Sequence, residues 1–237
     1  FASMQNPDGS FAAPRLLVAS FGVTAGGWTS QDLHPRQLVD IDGDGRVDIA
    51  GFGNSGVFAA MQNPDGSFAA PRLLVANFGV VAGGWMSQDL HPRQLADING
   101  DGRVDITGFG NAGVYASLQN PDGSFAAPRL VVANFGVTAG GWTSQDRHPR
   151  QLADADADGR ADVVGFGNAG VYASLQNPDG TFAAPQLLLR NFGVQAGGWT
   201  SQDTLPRAFA DMDGDGRLDI VGFGNSGVWY ASSVDIL

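Results

Sequence analysis

The segment Gly-Gly-Trp ends at Trp28, Trp85, Trp142 and Trp199, so the chain repeats itself every 57 residues. Residues 61–117 and 118–174 are identical at 46 of 57 aligned positions. A period of this length points to a solenoid, a propeller or an array, and it outranks any local propensity. Copies this similar also suggest recent duplication.

Within one period the sequence predicts four strands: Arg36–Ile41, Val47–Phe52, Gly56–Gln62 and Ser67–Ala76. An acidic loop separates the first two, Gly-Phe-Gly-Asn (Gly51–Asn54) closes the second, and Asn-Pro-Asp-Gly (Asn63–Gly66) turns the third into the fourth. A longer connection, Asn77–Pro92, follows. Four short antiparallel strands per repeat make a propeller blade. The composition agrees with an all-β chain. Every one of the 13 basic residues is Arg and every one of the 24 acidic residues is Asp, so the good helix formers Lys and Glu are absent, while Gly numbers 35.

The expected architecture is an all-β propeller of four-stranded antiparallel blades in one domain, 1–237. Its repeats run at about 1–57, 58–114, 115–171 and 172–228, with a closing strand at 229–237. Phe1 aligns with Phe58, so the chain starts with strands three and four and finishes with strands one, two and three. Strands from both termini then close the ring, or a second chain does, as a possible homodimer.

The pattern D-x-[DN]-x-D-G-x-x-D occupies Asp40–Asp48, Asp97–Asp105, Asp154–Asp162 and Asp211–Asp219, and these loops hold 15 of the 24 aspartates. Oxygen ligands at alternate positions, with a glycine that allows a sharp turn, suit a hard cation of Ca²⁺ size. The predicted side-chain ligands are Asp40, Asp42, Asp44 and Asp48; Asp97, Asn99, Asp101 and Asp105; Asp154, Asp156, Asp158 and Asp162; and Asp211, Asp213, Asp215 and Asp219. The backbone carbonyls of Arg46, Arg103, Arg160 and Arg217 complete the sets. Four Ca²⁺ ions would bring the formal charge from −11 to −3. Asn99 predicts a weaker second site. Ala157, where the other loops have glycine, is expected to matter less because Gly159 remains. A solvated acidic turn is the alternative to a metal site.

The remaining motif series lies in the connections between repeats: Trp28/His34/Arg36, Trp85/His91/Arg93, Trp142/His148/Arg150 and Trp199/Arg207, where Leu205 replaces the histidine. An indole face can stack on a pyranose while His and Arg donate to hydroxyls. The same residues also suit a packing role: Trp as a wedge between blades, Arg paired with Asp32, Asp89 or Asp146, His as a capping group. The aromatic series on the strands (Phe52, Phe109, Phe166, Phe223; Phe58, Tyr115, Tyr172) reads as core.

An acidic surface without Lys argues against nucleic acid and anionic membranes as partners. No apolar run is long enough to span a bilayer, so membrane insertion is not expected. Without Cys or Glu, and with the clustered Asp committed to the loops, an enzyme is not expected either.

The acidic loop between the first two strands resembles the FG-GAP repeat of integrin α-subunit propellers. The wider combination is similar to the family of the fungal Psathyrella velutina lectin. It comprises NFGV (Asn77–Val80), GGW (Gly83–Trp85), HPR (His91–Arg93), the loop at Asp97, DITGFGN (Asp105–Asn111) and GVY (Gly113–Tyr115). The resemblance covers the whole chain, although that lectin has more blades and a Trp-to-His spacing one residue shorter. It implies a multivalent, extracellular or secreted lectin, Ca²⁺-stabilised, with pockets between neighbouring blades for N-acetylglucosamine- or fucose-type glycans on cell surfaces or glycoproteins. The alternative it implies is an integrin-like interaction or structural propeller that binds no sugar.

Overall fold

The computed structural model describes residues 2–233 of the 237. The chain divides into two compact units, Phe1–Ser87 and Gln88–Leu237.

The first unit holds one antiparallel sheet in the order β1 (Arg36–Val39), β2 (Asp48–Phe52), β3 (Val57–Ala60), β4 (Arg72–Val75). The second unit holds three. Two are four-stranded: β5 (Arg93–Ala96), β6 (Asp105–Phe109), β7 (Val114–Ser117) and β8 (Arg129–Val132); then β9 (Arg150–Ala153), β10 (Asp162–Phe166), β11 (Val171–Ser174) and β12 (Gln186–Leu189). The third has three strands: β13 (Arg207–Ala210), β14 (Asp219–Gly224) and β15 (Gly227–Ala231). Each sheet is an up-and-down meander, the topology of a propeller blade.

The repeat boundaries taken from sequence at 57/58, 114/115 and 171/172 fall inside β3, β7 and β11. The structural unit therefore starts one connection later, at each first-strand arginine.

The strands are shorter than the sequence predicts, and the fourth differs most. It begins at Arg72 rather than Ser67 because Pro71 has no N–H to give the ladder. Only a single bridge, Gln62 to Phe68, lies upstream of it. The NPDG turn between them is closed by Gly66 N donating to Asn63 O at 2.9 Å, while Asp65 Oδ1 accepts Ser67 N–H at 2.8 Å.

The N-terminal segment forms no named strand. Its bridges Ala2–Arg15 and Gln5–Phe11 repeat the register of Ala59–Arg72 and Gln62–Phe68 one period later. The expected pairing of third and fourth strands is thus present there only as isolated bridges. Of the closing strand expected at 229–237, residues 229–231 belong to β15, and 234–237 lie outside the described residues.

The central strands carry the core. β6 and β10 are buried at every position, whereas β4 and β8 begin exposed and end buried. In the second unit, Phe109, Val114, Val132, Phe135, Trp142 and Val163 form one buried cluster that joins two sheets. Phe166 and Phe209 stack at 4.5 Å and join the last two. The aromatic series therefore divides. Phe52, Phe109 and Phe166 are buried as expected, but Phe223, in the sheet that has three strands among the described residues, is half exposed.

Gly113 shows how the fourth strand constrains the third. Its φ is +140°, and a Cβ there would lie 2.0 Å from the Val132 carbonyl oxygen of β8. Gly227 has nearly the same φ, +135°, but meets nothing within 4 Å. Both alanine variants carry backbone strain, on the order of 1–3 kcal/mol. Only Gly113→Ala adds a clash with backbone, so its urea midpoint is expected to fall clearly below that of Gly227→Ala. Equal midpoints would defeat this steric account.

Candidate functional site

Each inter-sheet connection begins with a strained turn. Phe21, Phe78, Phe135 and Phe192 adopt φ of 56–59°, a left-handed conformation that bulky residues rarely take. Two things hold the turn. In three copies the preceding asparagine caps the Phe N–H, as Asn134 Oδ1 does at 2.6 Å. The Phe ring also packs on the tryptophan that follows, with centroids 4.8–5.0 Å apart in all four copies.

The tryptophans are consequently enclosed. Trp28, Trp85, Trp142 and Trp199 are only 6, 6, 4 and 5% exposed. At Gly51 a Cβ would come within 2.5 Å of the Trp28 ring, so the strand glycine is required for the indole to fit. The indole that the sequence offers either to a pyranose or to packing is enclosed, which favours the packing role.

The arginines are enclosed as well. Arg93, Arg150 and Arg207 are buried and Arg36 is partly so. Arg150 donates through Nη1 to Phe135 O and Trp142 O, both at 2.9 Å. Its Nη2 donates to Leu90 O at 3.2 Å, and its Nε to Gln145 Oε1 at 3.2 Å. Arg207 repeats the bonds to Phe192 O and Gln202 Oε1. Burial pushes the guanidinium pKa of both down to about 10. The guanidinium therefore holds the connection together instead of facing a ligand. Two of the aspartates expected beside it, Asp89 and Asp146, bind the next connection through its backbone. Asp89 Oδ1 accepts Gln145 N–H and Asp146 Oδ1 accepts Gln202 N–H, each at 2.9 Å.

The histidines position a residue that the sequence reading missed. His34 Nε2 lies 2.9 Å from Asn54 Oδ1, and its Nδ1 faces the Thr29 N–H at 3.3 Å. The Thr29 N–H makes Nδ1 the acceptor, so Nε2 carries the proton and donates to Asn54. His91 and His148 meet Asn111 and Asn168 at 3.0 Å, and His148 Nδ1 also faces the Thr143 N–H at 3.3 Å. Burial lowers the pKa of both, which keeps these rings neutral. Each asparagine is the last residue of Gly-Phe-Gly-Asn and is itself exposed. With Oδ1 occupied by the histidine, its amide N–H donors point away from that bond. The signal was legible, since the motif ends in Asn in every copy.

In the first unit a cleft of about 530 Å³ is lined by Trp28, His34, Asn54, Ser55 and Phe58, among others. In the second unit a cleft of about 290 Å³ is lined by the residues 171 positions later: Trp199, Leu205, Asn225, Ser226 and Trp229. Trp229, in the position of Phe58, is 51% exposed. Its ring crosses Gly224, where a Cβ would come within 2.9 Å. The exposed aromatic face of the cleft thus comes from the third strand, in a series read from sequence as core, and not from the Gly-Gly-Trp turn.

The acidic loops fold around their first and ninth positions. Asp40 accepts N–H groups from Gly43 at 2.8 Å and Gly45 at 2.7 Å, both glycines at positive φ. In the third loop Ala157 takes φ +62° where the others have glycine, so it bears strain that glycine avoids. The ninth aspartates, Asp48, Asp105, Asp162 and Asp219, are buried, and both oxygens of each accept backbone N–H groups. Asp162, for example, accepts from Ala155 at 2.8 Å and Gln176 at 2.7 Å. They latch the loop to the end of the third strand. Burial pushes Asp105 and Asp162 up to about 6.

Among the described residues, Asp40/Asp42/Asp48, Asp154/Asp156/Asp162 and Asp211/Asp213/Asp219 can each place three carboxylate oxygens within 4.8 Å of one another. The fifth-position carboxylates stand apart from these clusters. Asp44, Asp101 and Asp158 are ion-paired with Arg46, Arg103 and Arg160. In the second loop Asn99 instead donates to Asp101 at 2.9 Å.

A family model described as an FG-GAP-like repeat matches residues 40–106 and 154–222. No curated protein sequence gives a significant match. Among solved structures, the chain is similar to a lectin from Agrocybe aegerita described as recognising non-reducing terminal N-acetylglucosamine. Identity is 45% and the TM-score 0.88, over 93% of this chain and 54% of the lectin. The chain therefore spans about half the length of that relative. It also resembles part of the Photorhabdus luminescens Tc holotoxin pore, at 20% identity and a TM-score of 0.62, over 99% of this chain and 10% of that one. This second likeness is one of fold alone. No helix among the described residues is long and apolar enough to cross a membrane.

Proposed function

The chain belongs to the FG-GAP-like repeat family, and from that premise we propose that it is a carbohydrate-binding lectin rather than an enzyme, acting outside the cell on terminal N-acetylglucosamine or a related glycan. The observation that carries this reading is the recurring contact in which a buried histidine fixes the Oδ1 of an exposed asparagine, seen in the first unit at the wall of a cleft. A fixed amide offers directed N–H donors, the edge of the tryptophan and the third-strand aromatic supply apolar wall, and serine adds a hydroxyl. Such a mixture suits a sugar ring. The likeness to the Agrocybe aegerita lectin names the sugar to try first. In this reading the tryptophans, histidines and arginines of the connections build the pocket, and Asn54, Asn111, Asn168 and Asn225 touch the ligand.

The repeats make the site multivalent. Several weak sites on one rigid body can raise avidity about 10²–10⁴-fold on a glycan-coated surface. We propose that the repeats form a single propeller whose ring is closed by the two termini or by a second copy.

We also propose a Ca²⁺ ion in the acidic loops, held by Asp40, Asp42 and Asp48 in the first and by their counterparts in the third and fourth. The grouping of three carboxylates and the raised pKa of buried Asp162 both fit a group that needs a cation beside it. The ion supplies charge neutralisation there and takes no part in sugar chemistry. Asn99 makes the second loop the weakest site.

The test is a glycan array run with Ca²⁺ and again with EDTA, followed by titration with N-acetylglucosamine. Asn54→Ala is expected to weaken the first site about tenfold, the worth of one hydrogen bond, and to lower the melting temperature as well, because His34 Nε2 loses its acceptor. Leu205→His restores the missing partner of Asn225 and is expected to strengthen the fourth site. Array silence with Ca²⁺ binding retained would favour an interaction propeller of integrin type, which the family match alone also accommodates.

A further inference from the structure

A second cleft lies in the larger unit, on the acidic-loop side, between the β5–β8 and β9–β12 sheets. Its volume is about 240 Å³. Gln176, which lines it, is 3% exposed. Its Nε2 donates to Ile98 O, and its backbone N–H donates to Asp162 at 2.7 Å. Its side-chain Oε1 is buried and has no hydrogen-bond partner. Turning the amide over would bring two carbonyl oxygens together, so the orientation is set by Ile98. A buried acceptor without a donor costs about 1–3 kcal/mol, and it marks a place where a donor is wanted.

We infer that this cleft binds a small neutral molecule that carries one hydroxyl on a compact apolar body, with the hydroxyl donating to Gln176 Oε1. Of the charged groups at the rim, Arg129 is exposed to water and the two carboxylates already accept donors. Asp101 takes Asn99 Nδ2 at 2.9 Å and the Arg103 guanidinium, and Asp179 takes the Thr181 N–H at 2.9 Å. One donor is therefore required at depth and no more. Leu118, Val131 and Phe182 supply apolar wall. A sugar would leave several hydroxyls unpaired against those side chains. An ammonium would bury its charge against a neutral carbonyl, which compensates it poorly. A neutral alcohol or phenol meets both demands, and so the ligand class differs from the glycan of the Asn54-type clefts.

Phenol and toluene are the probes, titrated against the full chain by saturation-transfer NMR. Wild type is expected to bind phenol in the millimolar range and to prefer it to toluene. Gln176→Leu removes the acceptor, so phenol is expected to weaken at least tenfold while toluene binds more tightly. This inversion would not arise in a merely apolar cleft. N-acetylglucosamine binding by Gln176→Leu is expected to match wild type, so failure here is separable from failure of the lectin reading. The inference is overturned if neither probe binds wild type, or if phenol binds both proteins equally. It is also overturned if a crystal soaked in phenol holds only an ordered water on Gln176 Oε1.

Discussion

Replacing Arg150 with methionine is expected to destabilise the chain by about 3–5 kcal/mol, without any ligand present. The methionine fills much of the volume but donates nothing. Phe135 O, Trp142 O and Leu90 O lose the guanidinium donor, while Gln145 Oε1 keeps the backbone N–H of residue 150. These acceptors lie where water cannot replace it, since Arg150 is 1% exposed. The guanidinium also lies 5.7 Å from the centre of the Phe109 ring, a cation–π contact that methionine lacks. Two comparisons make the result interpretable. Arg36 occupies the same kind of cradle but is partly exposed, so water repairs part of the damage and Arg36→Met should cost less. Arg147 is exposed, and Arg147→Met should stay within about 0.5 kcal/mol. Urea unfolding of the three variants checks the ranking. If Arg150→Met unfolds at the same midpoint as Arg147→Met, the cradle does not stabilise the connection.

Calcium is expected to give the second large effect. A ligand that binds only the folded state adds about 2.7 kcal/mol when present at 100 times its dissociation constant. For a chain of this length that corresponds to roughly 5–10 °C in melting temperature per occupied site. The expected result is a fall of at least that size when EDTA replaces calcium. Asp42→Asn should remove part of the response, because Asp42 belongs to the first cluster and none of the hydrogen bonds that latch the loop to the third strand passes through it. Asp48→Asn is a poorer test, since Asp48 accepts backbone N–H groups from Ile41 and Gln62 and its loss would unlatch the loop with or without metal. Melting curves unchanged by EDTA, with no calcium detected by calorimetry, would leave the loops as hydrogen-bonded acidic turns.

Within the described residues, the architecture was largely legible in the sequence. The period counted the sheets and turn chemistry separated the strands. The site was less so. The motif series Trp–His–Arg was visible, but its reading as an exposed sugar platform does not match the burial of all four tryptophans. The amide that these residues position sits at the end of Gly-Phe-Gly-Asn, a motif that in the sequence marks only the close of a strand. Phe223 went against its core reading for a simple reason: in the described residues β15 has no fourth strand beside it, so positions buried in the other sheets stay open.

What the sequence determined by itself is whatever acts over a few residues: strand, turn, acidic loop, and their repetition. What only the tertiary structure decided is which polar groups are used up and which remain free. Arg150 meets Leu90 from 60 positions away, and Gln176 meets Ile98 from 78. No local pattern distinguishes an arginine that is spent on carbonyls from one that faces a ligand. Only the packed sheets remove water from one side chain and leave the next one open to it.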